Sequence, residues 1–226
     1  MLLLPIFIPV MIILRFTGEG EVFYRQERVG SNFQTFGMLK FATMLKDSLQ
    51  MGNKTVTLRN DPRITSAGRF LRITKINELP QLWNVLVGDM SFVGPRPLLT
   101  SSYKKYSKEV QDRLSLVKPG ITGIGSIVFR DEEQLTSLVR NLGGEPLGYY
   151  RFYIYPYKGS LETFYSEHRS LYTDLKILFI TGWQLIFKDS NLVFKTFNNL
   201  PPKPISLTLD GIRDLDMSKV KEIKLS

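Results

Sequence analysis

The chain has 226 residues and no cysteine, which excludes disulfides, thiolate zinc sites and cysteine nucleophiles; its single histidine, His168, excludes a multi-histidine metal site. Hydrophobic residues make up 43% and charged residues 23%, the balance of a globular protein of one sizeable domain with or without appendages. Lys and Arg number 30 against 21 Asp and Glu, and the net charge of +9 suits an anionic partner (nucleic acid, an anionic membrane surface or a phosphorylated substrate) without choosing among them.

Met1 to Leu14 reads MLLLPIFIPVMIIL and carries no charged side chain. A helix of that length reaches about 21 Å, short of the roughly 30 Å hydrocarbon core, so it is a poor spanning segment. Pro5 and Pro9 are expected to break or kink it. No basic stretch precedes it, as one would in a signal peptide. With Arg15 directly behind it, the run reads as an interfacial anchor, and residues 1–16 as a membrane-associated segment.

Thr17 to Gly20 is a turn, Glu21 to Arg28 (EVFYRQER) a short strand, and Gly30-Ser31-Asn32 a second turn. Phe36 to Met44 reads as another strand or a strand leading into a helix, and Asp47 to Asn60 as a polar loop. Asp61-Pro62 opens a turn ahead of a short basic helix over Ile64 to Ile73. Helices follow over Glu78 to Val87 and over Leu99 to Val117, the latter with Tyr103, Tyr106, Val110, Leu114 and Val117 at helical spacing. Lys118-Pro119-Gly120 ends it, Ile121 to Arg130 looks extended, and Glu132 to Asn141 is a helix closed by Gly143-Gly144. Leu171 to Phe187 is a strongly apolar amphipathic helix. Beyond it the chain turns polar, with Pro201, Pro202 and Pro204, and residues 189–226 read as a tail.

Chemistry concentrates in RITKINELPQLWNVLVGDMSFVGPRP, Arg72 to Pro97. Leu79, Leu82, Trp83, Val85 and Leu86 form a helical stripe, read as core, and Asn77 stands where an N-cap belongs, with Pro80 tolerated in the first turn. A helix N-terminus favours a phosphate or carboxylate, and Arg69, Arg72 and Arg96 surround it in the sequence, the last between two prolines. Together with Glu78 these residues make a candidate phosphate site. The plainer readings are a helix cap at Asn77, a dipole-complementing Glu78 and a solvated face at Arg69 and Arg72. A second candidate, KPGITGIGSIVFRDEE (Lys118 to Glu133), has glycines that admit close backbone approach and an acidic run beside Arg130; its plainer reading is a turn and a helix start.

The stretches VFYRQERVG, LKFATM, DPRITSAGRFLRITKINELPQLWNVL, GDMSFVGPRPLL, KPGITG and SLYTDLKILFIT, in this order, resemble the bacterial sugar transferases, the monotopic phosphoglycosyl transferases, across most of Pro5 to Phe187. The resemblance implies a reaction in which an aspartate, paired with a glutamate, attacks the β-phosphate of a UDP-sugar in the presence of Mg2+. UMP leaves, and a polyprenyl phosphate takes the phosphosugar from the enzyme, starting the assembly of a bacterial surface glycan. The glutamate falls on Glu78, which would also ligate the metal, and the aspartate position on Asn77; Lys40 and Arg96 match basic positions, whereas the arginine of a Lys-Phe-Arg motif is Ala42 here. Pro5 aligns with a proline that bends a re-entrant membrane helix, although fewer residues precede it than in the family.

The expected fold is therefore α+β and helix-rich: a small sheet, a partial re-entrant segment at the N-terminus, a catalytic domain over 17–188, and amphipathic helices on the membrane surface, with Leu171 to Phe187 and Leu99 to Val117 as candidates. The expected partners are a UDP-sugar, a polyprenyl phosphate and membrane lipid at the cytoplasmic face of the bacterial inner membrane, and a homo-oligomer is compatible with the reading. No nucleic-acid module is recognisable. A carboxamide lacks the anionic oxygen of a carboxylate nucleophile, so Asn77 should leave the scaffold intact and the covalent chemistry impaired. The alternatives are that Asn77 is an engineered replacement, that Glu78 takes over, that the polyprenyl phosphate attacks directly, or that the chain is a non-catalytic relative binding a nucleotide sugar or a partner transferase.

Overall fold

The computed structural model describes residues 4–17, 19–49, 61–187 and 190–221, and these form a helix-rich α+β protein with two small sheets. Most of the expected polar loop, residues 50–60, lies outside the described residues. The packing divides the chain into two units, Met1–Glu27 with Gly37–Gly88 and Arg28–Phe36 with Asp89–Ser226, a division that follows neither 16/17 nor 188/189.

The first unit begins with α1 (Leu4–Phe16), a continuous helix with Pro9 inside it. The N–H that Pro9 lacks would have bonded to the Pro5 carbonyl in the first turn, so a single bond is lost and the expected break does not occur. Val10 and Leu14 are buried with Phe41 and Leu71, while Ile8, Ile12, Ile13 and Phe16 are exposed. No helix among the described residues is long and apolar enough to cross a membrane. β1 (Phe23–Val29) pairs with β2 (Thr35–Phe41) in a two-stranded sheet.

The DPRIT turn is built on a buried ion pair. Arg63 donates from Nη2 to Asp61 Oδ2 at 2.6 Å and from Nε to Oδ1 at 2.9 Å. Ile64 is spent on a bridge to Met44, and Thr65 caps α2 (Ser66–Ile73) by accepting from Gly68 N at 3.0 Å, which shortens the expected helix. A side chain at Gly68 would put its Cβ 2.2 Å from the Thr43 carbonyl. After a turn comes α3 (Gln81–Leu86), which is inside out relative to the expected core stripe: Trp83 and Leu86 are 59% and 79% exposed. Its buried side is polar. Asn84 accepts from Leu39 N at 3.0 Å and donates to Gly37 O at 2.9 Å, docking the helix on β2 through backbone groups that no strand serves. Phe70 and Ile73 on α2 are exposed too.

In the second unit β3 (Ser91–Val93) runs parallel to a strand over Gly120–Thr122, β4, in the register Ser91↔Gly120 and Val93↔Thr122. Between them lie α4 (Thr100–Tyr103) and α5 (Lys108–Ser115), where one helix was expected; Ser107 caps α5 by accepting from Val110 N and so interrupts the run. Tyr103, Tyr106, Leu114 and Val117 are buried, so this region is core and not a membrane face. The extended reading of Ile121 to Arg130 holds only to Thr122. Ile124, Ile127 and Val128 have helical spacing and are buried on α6 (Ile124–Val128).

The rest of this unit is helical: α7 (Glu132–Asn141), α8 (Pro146–Tyr149), a π-turn over Tyr150–Ile154, α9 (Tyr155–His168) and α10 (Leu171–Ile186). α10 buries Ile177 and Ile180 and exposes Leu171, Tyr172, Phe179 and Ile186, as its amphipathic pattern predicts. His168 stacks on Phe164 and its Nδ1 bonds to the Phe164 carbonyl, a satisfied structural role. The expected polar tail is folded. Its short helices α11 (Leu192–Thr196), α12 (Leu209–Arg213) and α13 (Met217–Lys221) bring Val193, Leu207, Ile212 and Val220 into the core beside Ile124, Val139 and Leu161. Its apolar residues are too widely spaced in sequence to stand out.

Charged groups enter this core on α9. Lys158 pairs with Glu132 at 2.7 Å, and Tyr150 also donates to Glu132. Burial opposes ionisation of Glu132, but Lys158 and Tyr150 outweigh it and hold this carboxyl below its usual range. Glu162 has no such partner, and burial pushes its carboxyl up to about 7 against the pull of Lys158 and Arg96.

Replacing Asp61 with Ala strands the Arg63 guanidinium in the interior and should lower unfolding free energy by about 3 kcal/mol in denaturant titrations. For Glu162, the folded carboxyl titrates above its unfolded value of 4.5, so its contribution is intact below that value and is lost as pH rises through about 7. Glu162→Gln should therefore gain thermal stability relative to the parent on going from about pH 5 to about pH 8, read as the difference in Tm at each pH.

Candidate functional site

The expected helix over Glu78 to Val87 does not start at Asn77. Proline has no N–H to give the carbonyl four residues back, so Ile76 O cannot close an α-turn onto Pro80. It accepts from Leu79 N instead, at 3.1 Å, and Ile76–Glu78 becomes a 3-10 turn entered through Lys75 at φ 61°. Glu78 N donates back to Lys75 O at 3.1 Å. α3 begins only at Gln81, with Pro80 in the cap position. Asn77 is thus no helix cap: it is 6% exposed, and its Oδ1 is buried with no hydrogen-bond partner. An unserved buried acceptor costs about 1–3 kcal/mol, which marks this amide as a group the fold does not need for stability.

Glu78, next in the turn, is half-buried and faces Lys40 on β2, with 3.6 Å between Nζ and Oε1. Arg69 and Arg72 lie on α2, which packs against this turn; Arg69 is exposed and Arg72 half-buried. Five of the six predicted site residues (Lys40, Arg69, Arg72, Asn77 and Glu78) therefore belong to the first unit, and Arg96 belongs to the second. The Ala42 position supplies a backbone bond to Val22 O and no cation.

Arg96 sits where β3 leaves the sheet. Gly94 is packed so tightly that a Cβ there would lie 2.3 Å from Lys118 O, and Gly94 N bonds to Thr122 O at 2.9 Å. Its surroundings include Glu132, Tyr150 and Glu162. Of the acidic run read as a second candidate site, Glu132 turns inward to Lys158, whereas Asp131 and Glu133 are exposed. Lys158 and Glu162 escaped the sequence reading. A lysine and a glutamate four residues apart, flanked by Leu161 and Phe164, would have been the available signal.

Among the described residues no three His, Cys, Asp or Glu side chains come together as a metal cage. Mg2+ is commonly held by one or two carboxylates with substrate phosphates completing its shell. Glu78, the carboxylate of the turn, fits a magnesium ion that arrives with a diphosphate, and not one bound by the protein alone.

Residues 1–188 match the family model for bacterial sugar transferases. The chain is 32% identical over 191 residues to the exopolysaccharide production protein ExoY of Rhizobium meliloti, covering 78% of this chain and 75% of ExoY. It is 33% identical over 185 residues to the UDP-glucose:undecaprenyl-phosphate glucose-1-phosphate transferase of Klebsiella pneumoniae, covering 80% and 36%. Against the undecaprenyl-phosphate galactose phosphotransferase of Salmonella typhimurium the identity is 32% over 184 residues, covering 75% and 34%. The chain thus spans about a third of the length of the last two relatives. On these grounds it belongs to the bacterial sugar transferase family.

Proposed function

We propose that the chain transfers a sugar-1-phosphate from a UDP-sugar to a polyprenyl phosphate, a first step in surface glycan assembly, with its rate impaired by Asn77. The observation that carries this is the Lys40–Glu78 pair, adjacent in sequence to the buried Asn77, in a family whose relatives include a UDP-glucose:undecaprenyl-phosphate glucose-1-phosphate transferase. Lys40, Arg69 and Arg72 are the cations of the first unit that would bind the diphosphate; Arg96, on its proline-bounded loop in the second unit, is a separate phosphate-binding candidate by its motif position. Glu78 would hold Mg2+, which when bound supplies charge neutralisation for the departing UMP.

Asn77 is a neutral amide, so a covalent phosphosugar adduct is not available to it. Two routes keep a complete reaction: attack by a carboxylate oxygen of Glu78 on the β-phosphorus, or attack by the phosphate oxygen of the polyprenyl acceptor. In both, the bond to the UMP oxygen breaks and the sugar phosphate ends on the lipid phosphate as a diphosphate. The buried, unpartnered Asn77 oxygen favours a second reading, a non-catalytic relative that binds nucleotide sugar or a partner transferase.

Membrane lipid is the proposed surface. α1 carries exposed Ile8, Ile12 and Ile13, and the first unit also exposes Phe70, Ile73, Trp83 and Leu86 near the exposed, basic Arg69; α10 exposes Leu171, Phe179 and Ile186. In each unit, exposed apolar side chains of this size call for a partner, and apolar residues beside cations suit an anionic bilayer. The proposed location in a bacterium is the cytoplasmic face of the inner membrane, and the exposed apolar residues support the membrane part of that reading.

UMP release from a UDP-sugar, with polyprenyl phosphate and Mg2+ supplied, should rise about a hundredfold or more in Asn77→Asp over the parent. Equal, robust rates would show that no aspartate is needed; no release from either chain would favour the binding reading. Both tryptophans, Trp83 and Trp183, lie on the exposed apolar faces. Trp83→Phe and Trp183→Phe, each with one reporter left, should both show a blue-shifted emission on adding phosphatidylglycerol vesicles, and an unchanged spectrum in either removes that face from the membrane.

A further inference from the structure

Where β3 ends and the chain turns into Pro95-Arg96-Pro97, the backbone is held at three consecutive residues. Val93 O accepts from the Tyr165 hydroxyl at 3.3 Å, Gly94 N donates to Thr122 O at 2.9 Å, and Pro95 O accepts from Gly120 N at 2.9 Å. Two of these holds lead on to α10. Tyr165 also donates to Asp174 Oδ1 at 2.9 Å, and the Thr122 hydroxyl oxygen lies 2.8 Å from that of Thr181. Thr181 gives its own hydrogen to Ile177 O at 2.8 Å, which leaves Thr122 to donate. Asp174 and Thr181 are two turns apart and share one helix face, with the buried Ile177 between them. The helix that exposes Leu171, Phe179 and Ile186 thus grips, with two polar side chains, the sheet end that carries Arg96.

From this arrangement we infer that Thr122 and Thr181 are positioning residues: their hydroxyl pair ties β4 to α10, and so fixes where β3 releases the Arg96 loop and offers its guanidinium to a phosphate. The last part rests on the reading of Arg96 as a phosphate-binding candidate given above. The backbone has little slack here, since a Cβ on Gly120 would stand 2.1 Å from Gly94 N and one on Gly123 2.2 Å from Gly94 O. Stability alone does not call for hydroxyls, because a hydrogen-bonded pair can be exchanged for two apolar side chains of the same shape at little cost. What apolar groups cannot copy is the distance. The two oxygens approach to 2.8 Å, whereas carbon atoms rest at about 3.5–4.0 Å. A valine pair would therefore push β4 and α10 apart by about 1 Å.

The full chain is compared with the valine pair (Thr122→Val with Thr181→Val), with Thr181→Ser and with Arg96→Ala. In thermal unfolding the valine pair should melt within about 3 °C of the parent. Amide hydrogen exchange is then followed over residues 94–97, where only Gly94 and Arg96 carry an N–H. Exchange at Gly94 should be slow in the parent and in Thr181→Ser, which keeps the hydroxyl, and about tenfold faster or more in the valine pair. Affinity is measured for two phosphate probes, UDP with Mg2+ and farnesyl phosphate. Arg96→Ala should weaken one of them by about tenfold, which identifies the phosphate that Arg96 serves. The valine pair should weaken the same probe by about as much, and Thr181→Ser should not. Arg96→Ala added to the valine pair should be no weaker than Arg96→Ala alone, because the two act in series. Unchanged exchange in the valine pair overturns the tie. Parental affinity of the valine pair for the probe that Arg96→Ala weakens, or additive losses, overturns the claim that the tie works through Arg96. Faster exchange with no effect of Arg96→Ala on either probe keeps the tie and overturns the phosphate reading of Arg96. If the valine pair does not fold, Thr181→Ala, which removes the hydroxyl without crowding, takes its place with the same expected and overturning results.

Discussion

The hydrogen that Pro80 does not have shapes the site. An α-helix could have run back from Gln81 to Asn77 if residue 80 had an N–H to give Ile76; without it the chain tightens into a 3-10 turn and carries Asn77 inward. The turn then delivers Glu78 to Lys40 on β2. Nothing in the amide of Asn77 stabilises this geometry, since its oxygen is unserved. The scaffold is made by backbone constraints, and the side chain at 77 is placed by them.

α3 depends on the same economy of backbone groups. Its inner face is polar because Asn84 supplies the donor and acceptor that β2 would otherwise lack at Leu39 and Gly37. Its apolar residues are thereby turned outward with Trp83. In an ordinary soluble domain that inversion would be a defect. Under the proposed reaction on a polyprenyl phosphate, it would present the exposed Trp83 and Leu86 to acyl chains.

Much of this was legible in the sequence, and the failures have physical causes. The order of motifs identified the family, and the period of Leu171 to Phe187 predicted an amphipathic helix whose exposed face is apolar. The same periodicity misled at Trp83 and Leu86, because it reports that a helix has two faces and not which one is buried; a polar docking residue such as Asn84 decides that. At Leu99 to Val117 the spacing of tyrosines was sound, but Ser107 broke the helix by capping its second half. Lys40, Glu78 and Arg96 are named from motif positions; the first two meet in one ion pair, and Arg96 lies in the other unit. The buried Lys158 and Glu162 of α9 could not be, because pattern reading along one chain does not show which charged side chains of a helix turn inward. The folded tail was missed for the related reason that Val193, Leu207 and Ile212 join the core one at a time.

The turn also governs the chemical ageing of Asn77. Asparagine converts to aspartate when the next residue's backbone nitrogen attacks the side-chain carbonyl and closes a succinimide ring. Here that nitrogen belongs to Glu78, its N–H is bound to Lys75 O at 3.1 Å, and the Asn77 oxygen is sealed from water. The fold that would display an aspartate at this position thus protects the amide from becoming one, and position 77 keeps the residue with which it was synthesised.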